Sequence, residues 1–230
     1  MQAVILAGGM ATRLGELARN SPKAMIAVHG RPFLEYQVEL LKRAGVTDLV
    51  ICVGHLRESI ITHLGDGRDS GIHIRYSIEE TPLGTGGALK NAEPLLEDSF
   101  YLLYGDAYLL ADLREPLAFF NSRRAPALMM VYRNLDRYDR SNAAVEGELV
   151  TRYSKTDRTP DMVYIDYGAS IFRKVVTRRI PAGQPYPLEA VQEALAREGQ
   201  MLAFEVSERF YEIGNPEGLK EFREYIGNLI

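Results

Sequence analysis

The chain has 230 residues, of which 46% are hydrophobic and 25% are charged, with one cysteine and no tryptophan. Such a chain can form one large packed domain or two small ones, and the apolar fraction argues against intrinsic disorder. The single cysteine excludes an internal disulfide framework and a cysteine-rich zinc site. With 27 Lys and Arg against 31 Asp and Glu, the net charge of −4 argues against a general binder of nucleic acids or anionic membranes.

The sequence shows no sign of export or membrane insertion. No apolar run approaches the roughly 20 residues that span a bilayer. The first nine residues lack the basic n-region and the long apolar h-region of a signal peptide. We therefore expect a soluble cytoplasmic protein without nucleic-acid or membrane partners, and the sequence leaves a homo-oligomer open.

Strand and helix patterns alternate along most of the chain. In chain order they predict a strand at 3–6, a helix at 32–44, strands at 48–53 and 72–78, a helix at 86–96, strands at 100–104 and 127–132, a hairpin at 143–153, a strand at 162–172, and helices at 187–198 and 216–229. This order predicts a three-layer α/β/α architecture with a mixed, mainly parallel sheet in a single domain, 1–230. The polar segment 133–142 is the best candidate for a flexible segment.

Two segments near the start have features of a phosphate site. The first strand runs into Gly8 and Gly9, where glycines let backbone N–H groups approach a phosphate, and Arg13 follows. A tight turn explains the two glycines equally well, and neither a dinucleotide fingerprint nor a P-loop is present. Lys23, after a proline, supplies a second cation for a polyphosphate, although an isolated surface lysine is the simpler interpretation.

Two further segments follow later predicted strands. The loop at 79–88 contains three glycines and a proline, and so indicates a constrained backbone that approaches something closely. Asp106 stands at the carboxyl end of the strand at 100–104, where a carboxylate can hold Mg²⁺ on a nucleotide phosphate or simply cap the next element. Because ligands bind beyond the carboxyl ends of parallel strands, we expect the four segments to converge on one edge of the sheet.

Taken together, these segments resemble the signature of the sugar-1-phosphate nucleotidylyltransferases. That signature reads Leu-Ala-Gly-Gly-x-Gly-Thr-Arg-Leu, then Pro-Lys, then Leu-Gly-Thr-x-Gly-Ala, then Gly-Asp; it is matched at 6–14, 22–23, 82–89 and 105–106 and more weakly beyond 133. The segments 31–36 and 76–88 are most similar to D-glycero-D-manno-heptose 1-phosphate guanylyltransferases. The segments 63–67 and 74–77 are also similar to N-acetylmuramate 1-phosphate uridylyltransferases.

The resemblance implies a Rossmann-like nucleotide-diphospho-sugar transferase fold and an Mg²⁺-dependent enzyme. It would transfer a nucleotidyl group from a nucleoside triphosphate to a sugar 1-phosphate, releasing pyrophosphate, with GTP and a heptose 1-phosphate favoured and cell-surface polysaccharide as the destination. Residues 1–132 would bind the nucleotide and 133–230 the sugar phosphate. No acyltransferase repeat follows the last helix, so we expect no second activity.

The residues that match the signature carry the implied roles. The implied catalytic residues are Arg13, Lys23 and Asp106; the nucleotide-binding residues are Leu6, Ala7, Gly8, Gly9, Thr12, Arg13, Glu79, Pro82, Gly84 and Thr85; the sugar-phosphate-binding residues are Lys155, Asp166, Gly168 and Glu189; and the metal ligands are Asp106 and Glu212. Glu79 would face the base edge, and a carboxylate, which only accepts hydrogen bonds, suits guanine better than uracil. The alternative for Glu189 is a structural role, in which its carboxylate in the first turn of a helix is favoured by the helix dipole.

Four departures from the family pattern keep other functions open. Ala11 replaces a glycine, Ser154 a glutamate, Tyr167 a small residue beside the sugar pocket, and Glu212 an aspartate. The alternatives are an N-acetylmuramate or hexose 1-phosphate uridylyltransferase, and a non-catalytic relative that binds a nucleotide-sugar. A dinucleotide-dependent oxidoreductase is disfavoured because its fingerprint is missing.

Overall fold

The computed structural model describes residues 1–9, Leu14 and residues 21–229. Its strands are β1 (Gln2–Leu6), β2 (Ala27–Val28), β3 (Arg31–Pro32), β4 (Asp48–Val53), β5 (His73–Ile78), β6 (Ser99–Tyr104), β7 (Ala107–Leu109), β8 (Ala127–Arg133), β9 (Ala143–Glu146), β10 (Leu149–Tyr153), β11 (Tyr164–Arg173), β12 (Met201–Val206) and β13 (Phe210–Glu212). Its α-helices are α1 (Phe33–Arg43), α2 (Arg57–Leu64), α3 (Gly84–Ala92), α4 (Arg114–Asn121), α5 (Leu188–Arg197) and α6 (Pro216–Gly227). No helix in these ranges is long and apolar enough to cross a membrane.

A mixed sheet of nine strands organises the described residues, in the order β5-β4-β1-β6-β11-β8-β12-β10-β9. The strands β5, β4, β1 and β6 are parallel neighbours, and β8 and β12 form another parallel pair. The remaining pairs in the sheet are antiparallel. Because β5, β4, β1 and β6 are parallel, the loops that follow them lie at one edge of the sheet. The predicted convergence of the candidate site segments is confirmed for the residues that the structure describes.

Helices cover both faces of this sheet. On one face, β1 and β4 present Ile5 and Ile51 to a core that includes Leu34 of α1 and Phe120 of α4. On the other face, alternate residues such as Val4 pack against α3 and α5. Strands buried on both faces read as continuous apolar runs, which explains why β1, β4 and β6 are visible in the sequence. The predicted three-layer α/β/α architecture is confirmed.

A third core fixes the end of the chain to the carboxyl edge of the sheet. The ring of Phe222 on α6 lies 5.0 Å from that of Phe33 and 4.9 Å from that of Tyr108. Asn215 caps α6 by accepting a hydrogen bond from Gly218 N at 2.9 Å, and Pro216 begins the helix. Immediately before α6, β13 pairs antiparallel with β7. The last part of the chain is thus held beside the loop after β6.

The segment predicted to be flexible is a closed, hydrogen-bonded loop. Asn134 is buried and donates to Asp139 O at 2.6 Å and to Ser141 Oγ at 3.1 Å. Ser141 N donates to Asp136 Oδ1 at 2.7 Å, and Arg158 pairs with the same carboxylate at 2.6 Å. The polar side chains that suggested flexibility make these contacts, so the segment has a defined hydrogen-bonded structure.

Candidate active site

A cleft of about 700 Å³ opens at the carboxyl edge of the parallel strands. Its walls come from the loops that follow β1, β4, β5 and β6. The predicted site residues that line it are Leu6, Ala7, Gly8, Gly9, Lys23, Glu79, Pro82, Gly84, Thr85 and Asp106. The structure therefore brings together every described residue predicted for the nucleotide and for catalysis. Ala11, Thr12 and Arg13 lie outside the described residues.

One end of the cleft holds a lysine between two carboxylates. Lys23 Nζ lies 2.7 Å from Asp106 Oδ2, with 18% and 22% of the two side chains exposed. Glu212 reaches the same place through the β7–β13 pair, in which it stands opposite Ala107 and Ile213 N donates to Asp106 O at 2.9 Å. A Cβ built on Gly214 would contact Glu212 Oε1 and stand 3.3 Å from Lys23 Nζ. Lys23, Asp106 and Glu212 thus form one charged cluster.

The chemistry of this cluster fits a hard divalent cation. Mg²⁺ is bound through oxygen ligands, commonly one or two carboxylates completed by water and substrate phosphates. The described residues contain no group of three or more His, Cys, Asp or Glu side chains that could hold a metal by themselves. The protein would therefore supply Asp106 and Glu212, and a bound phosphate would supply the rest.

At the other end of the cleft, the Glu79 carboxylate lies between two glycines. A Cβ on Gly8 would stand 2.6 Å from Glu79 Oε1, and one on Gly54 would stand 2.5 Å from it. The other oxygen accepts a hydrogen bond from Leu83 N at 3.1 Å. Burial raises the pKa of Glu79, and the hydrogen bond from Leu83 opposes this rise. A partly buried acceptor is therefore fixed at this end.

The glycine-rich loop after β5 packs closely against the chain's own backbone. A Cβ on Gly84 or Gly86 would stand 3.0 or 2.9 Å from Tyr186 O, and the amides of Gly86 and Gly87 donate to that oxygen. Thr85 Oγ1 accepts from Leu188 N at 2.9 Å, at the start of α5. The close approach predicted from the glycines is thus made by the segment before α5. Gly84 and Thr85 still line the cleft.

Beside the cleft, the predicted sugar-phosphate residues surround Tyr104. Lys155 Nζ lies 5.0 Å from the centre of the Tyr104 ring, a cation–π contact, and the ring itself lines the cleft. Glu189 stands in the first turn of α5 and accepts from Lys155 N at 2.8 Å. Glu189 therefore occupies the first helical turn, as its alternative structural role predicts, and it also fixes the loop that carries Lys155.

Asp166 is a buried carboxylate in the same cluster. Gly168 N donates to its Oδ1 at 3.0 Å and Tyr153 Oη to its Oδ2 at 3.3 Å. Burial raises the pKa of Asp166, while the nearby positive charge of Lys155 acts in the opposite direction. Gly168 has φ of +91°, and a Cβ there would stand 2.8 Å from Ala107 Cβ. Gly168 is thus held against β7, the strand that follows Asp106, and its amide fixes the Asp166 carboxylate.

Tyr167 does not shape this pocket, contrary to the expectation from its size. Its side chain is fully buried in the core on the opposite face of the sheet from the Asp166 side chain. Its hydroxyl accepts from Leu110 N and Ala111 N and donates to Arg209 O, each at 3.1 Å. The alternation of side chains along a strand separates neighbours in this way.

One wall of the cleft is absent from the residues predicted by sequence. It is the segment Gly54, His55, Leu56, Arg57 and Glu58, between β4 and α2. No signature marks this segment, but it directly follows the parallel strand β4. The rule that ligands bind beyond the carboxyl ends of parallel strands could have identified it. Tyr104, the last residue of β6, also carries no signature and was missed for that reason.

Comparison with known proteins assigns this site to a class. The chain matches the Nucleotidyl transferase family over residues 2–142, and it belongs to that family. It is 30% identical to D-glycero-alpha-D-manno-heptose 1-phosphate guanylyltransferase of Campylobacter jejuni, over 96% of this chain and 98% of that protein. It is 31% identical to mannose-1-phosphate guanylyltransferase of Mycobacterium tuberculosis, over 94% of this chain and 62% of that protein.

The crystal structure of HddC from Yersinia pseudotuberculosis complexed with GMP-PN superposes with a TM-score of 0.80, at 26% identity, over 98% of this chain and 99% of that one. The protein is a sugar-1-phosphate nucleotidyltransferase.

Proposed function

We propose that this enzyme transfers a guanylyl group from GTP to a sugar 1-phosphate, with a heptose 1-phosphate as the favoured acceptor. The observation that carries the choice of base is the Glu79 carboxylate, fixed between Gly8 and Gly54 in the cleft. A carboxylate accepts hydrogen bonds only, and guanine offers N1–H and N2–H₂ side by side, whereas uracil offers N3–H alone. Two donors on one base edge use both oxygens of one carboxylate.

Part of the similarity to other proteins supports the same choice, although a UTP–glucose-1-phosphate uridylyltransferase is also 30% identical over 82% of this chain. A heptose 1-phosphate guanylyltransferase matches this chain over nearly its whole length, and the superposed Yersinia structure is a complex with GMP-PN. A mannose-1-phosphate guanylyltransferase matches about equally well, so the overall similarity does not choose between a heptose and mannose. The segments 31–36 and 76–88, which are most similar to the heptose enzymes, favour the heptose.

The cluster at the other end of the cleft accounts for the reaction. An oxygen of the sugar 1-phosphate attacks the α-phosphorus of GTP, a P–O bond forms to the sugar phosphate, and the bond to the leaving pyrophosphate breaks. Lys23 lies where it can neutralise the charge that builds on the phosphates, and positioning and charge neutralisation are the main contributions in such transfers. Asp106 and Glu212 would hold Mg²⁺, which neutralises phosphate charge when bound.

The acceptor would bind in the second half of the chain. Lys155 supplies a cation for its phosphate, and Tyr104 places that cation beside the cleft. Asp166 is buried, and its two oxygens accept from Gly168 N and Tyr153 Oη, so it would position this part of the pocket from below. Glu189 fixes the loop that carries Lys155. In this proposal Lys23 in the cleft and Lys155 beside it each supply a cation for one of the two anionic substrates.

A matrix of bases and sugars tests this proposal. The purified protein is incubated with Mg²⁺, each of the common nucleoside triphosphates and a set of heptose, mannose, glucose and N-acetylmuramate 1-phosphates, and pyrophosphate release is measured. We expect the highest kcat/KM for GTP with a heptose phosphate. Preference for UTP would contradict the base, preference for another sugar would contradict the acceptor, and no release with any pair would contradict catalysis.

A further inference from the structure

The wall between β4 and α2 lies directly against the carboxylate that the proposed function assigns to guanine. A Cβ on Gly54 would stand 2.5 Å from Glu79 Oε1 and 3.0 Å from its Cγ, so only a glycine fits there without displacing the side chain. Gly54 O accepts from Arg57 N at 3.2 Å, which turns the chain into α2. Leu56, with φ of +58°, takes the left-handed conformation inside this turn. The wall is therefore a constrained turn that ends at Arg57.

The guanidinium of Arg57 is held at the same end of the cleft. Its Nη1 donates to Glu80 Oε2 at 3.1 Å, and its Nε lies 3.5 Å from Glu58 Oε1. Glu80 is the chain neighbour of Glu79, so this ion pair joins the two loops that form the base end. Only 29% of the Arg57 side chain is exposed, and it lines the cleft. Among the described residues, its Nη2 has no hydrogen-bond partner.

A guanine bound at Glu79 needs a donor beside that carboxylate. Its hydrogen-bonding edge presents N2–H₂, N1–H and the acceptor O6 in sequence, and an acceptor left unpaired in a partly closed site lowers affinity. The Glu79 oxygens can satisfy the two donors but cannot satisfy O6. Arginine is a frequent partner of guanine O6 because its planar fork offers several N–H donors. Arg57 supplies such donors on the wall that touches Glu79.

We infer that Arg57 is a specificity-determining residue that donates to O6 of a guanine whose N1–H and N2–H₂ face Glu79. This inference rests on the proposed guanine recognition by Glu79 and extends it to a second residue. Glu80 and Glu58 orient the guanidinium, and Gly54 lets the carboxylate and the arginine approach the same base edge. The ligand class is a 6-oxopurine nucleotide.

Base analogues separate the two contacts. In 6-thio-GTP, sulfur, a weak acceptor, replaces O6 while both donors remain; in ITP, O6 and N1–H remain while the 2-amino group is missing. Equilibrium binding of GTP, 6-thio-GTP, ITP and UTP is measured without sugar phosphate for the wild type, Arg57→Met and Glu79→Gln. Arg114→Met is the matched control, since Arg114 also pairs with a carboxylate, that of Asp112, but lies on α4 outside the cleft.

We expect each variant to lose its response to a different group of the base. Arg57→Met weakens GTP binding by about 10- to 100-fold, the effect of losing a hydrogen bond to a charged donor, and changes 6-thio-GTP binding by less than about 3-fold. Its preference for GTP over ITP stays that of the wild type. Glu79→Gln reduces the preference for GTP over ITP and keeps the preference for GTP over 6-thio-GTP. Arg114→Met binds all four nucleotides like the wild type.

Three outcomes would overturn the inference. Equal weakening of GTP and 6-thio-GTP by Arg57→Met would show a general electrostatic or structural effect, and unchanged GTP binding would show no contact. A wild type that binds UTP better than GTP would remove the guanine contact altogether, even if pyrophosphate were released from UTP. A wild type with the expected binding pattern but no pyrophosphate release keeps the Arg57 contact and contradicts only the transferase proposal.

Discussion

The Lys23 ammonium lies 2.7 Å from Oδ2 of Asp106, and most of both side chains is shielded from water. The two residues are 83 positions apart in the chain and meet because the loops after β1 and β6 share one edge of the sheet. In the proposed reaction, these two groups serve different partners, a phosphate and a metal ion. The pair thus places the cation proposed for the phosphate next to a carboxylate proposed for the metal.

Replacing Lys23 by methionine tests its proposed role in catalysis. The change keeps the apolar stem and removes the charge, and we expect kcat to fall by about 10²- to 10³-fold, as when one stabilising donor is lost from a transition state. The thermal midpoint should change little, since Asp106 becomes partly hydrated. The control is Lys220→Met, which removes an exposed lysine that lies 3.8 Å from Glu224 on α6. A kcat within a few-fold of the wild type would contradict the role.

The proposed metal ligands can be tested by magnesium titration. Removing divalent cations with EDTA should abolish turnover, and adding Mg²⁺ should restore it. Glu212→Gln keeps the shape of the side chain but loses its charge, so we expect the Mg²⁺ concentration for half-maximal rate to rise by about 10-fold or more. Glu217→Gln, in the first turn of α6, is the control. An unchanged magnesium dependence in Glu212→Gln would exclude it as a ligand.

The raised pKa of Glu79 predicts how GTP binding depends on pH. Burial holds this pKa above the ordinary value of 4.5, and only the ionised carboxylate can accept both guanine donors. As the pH falls through the raised pKa, we expect KM for GTP to rise at a pH where an ordinary glutamate would still be ionised. In Glu79→Gln, KM should be higher at neutral pH and lose this acid rise. Parallel profiles for the two proteins would contradict the assignment.

The same pKa shift has the opposite sign for the stability of the free protein. A raised pKa means that the folded state favours the protonated carboxyl, so this group's contribution to stability is present below the unfolded pKa and is lost as the pH rises through the folded pKa. Glu79→Gln should remove this loss, and the variant should become more stable than the wild type towards neutral pH. Thermal unfolding across pH 4–8, without nucleotide, measures the difference.

Gly54 should be intolerant of even one methyl group. In Gly54→Ala, the new Cβ would stand 2.5 Å from Glu79 Oε1, so the carboxylate must move out of its position. We expect KM for GTP to rise by about 10-fold or more, the effect of losing hydrogen bonds to a charged group, with a smaller change in kcat. Gly227→Ala, near the end of α6, is the control because its Cβ meets only the His29 ring, at 3.4 Å. Wild-type kinetics in Gly54→Ala would contradict the tight fit.

The proposed acceptor site can be tested at Lys155 and Tyr104. Lys155→Met should raise KM for the sugar phosphate by about 10-fold or more and leave KM for GTP nearly unchanged, because only the acceptor loses a charged partner. Tyr104→Phe retains the ring beneath the ammonium and should have a weaker effect than Tyr104→Leu. An increase confined to KM for GTP would place this lysine at the nucleotide instead, and equal increases in both KM values would contradict a specific acceptor contact.

Much of the architecture is visible in the sequence because the core strands are buried on both faces. The strand predicted at 48–53 has the bounds of β4, and the hairpin predicted at 143–153 is β9 and β10. Helices α2 and α4 were not predicted, because α2 buries only Ile60, and α4 only Pro116 and Phe120. Two or fewer buried side chains in eight residues leave no readable period. The pair β7 and β13, three residues each, is likewise too short to predict.

The site was predictable where a residue ends a strand and unpredictable where distant segments meet. Lys23 and Asp106 follow from the rule that parallel strands end at one edge. The contact of Gly86 with Tyr186 joins positions 100 residues apart, and no local pattern encodes it. The direction of Tyr167 depends on the register of β11 against its neighbours, which size alone does not reveal. Arg57 was missed because its segment carries no signature.

The β7–β13 pairing makes the spacing of the two carboxylates depend on one short contact. Residues 210–212 pair with β7 and so bring Glu212 to Asp106, and α6 packs against this pair. The parallel strands that carry the base end of the cleft pair with one another and not with β13. Local opening of β13 would therefore separate the two proposed metal ligands and leave the base end of the cleft in place.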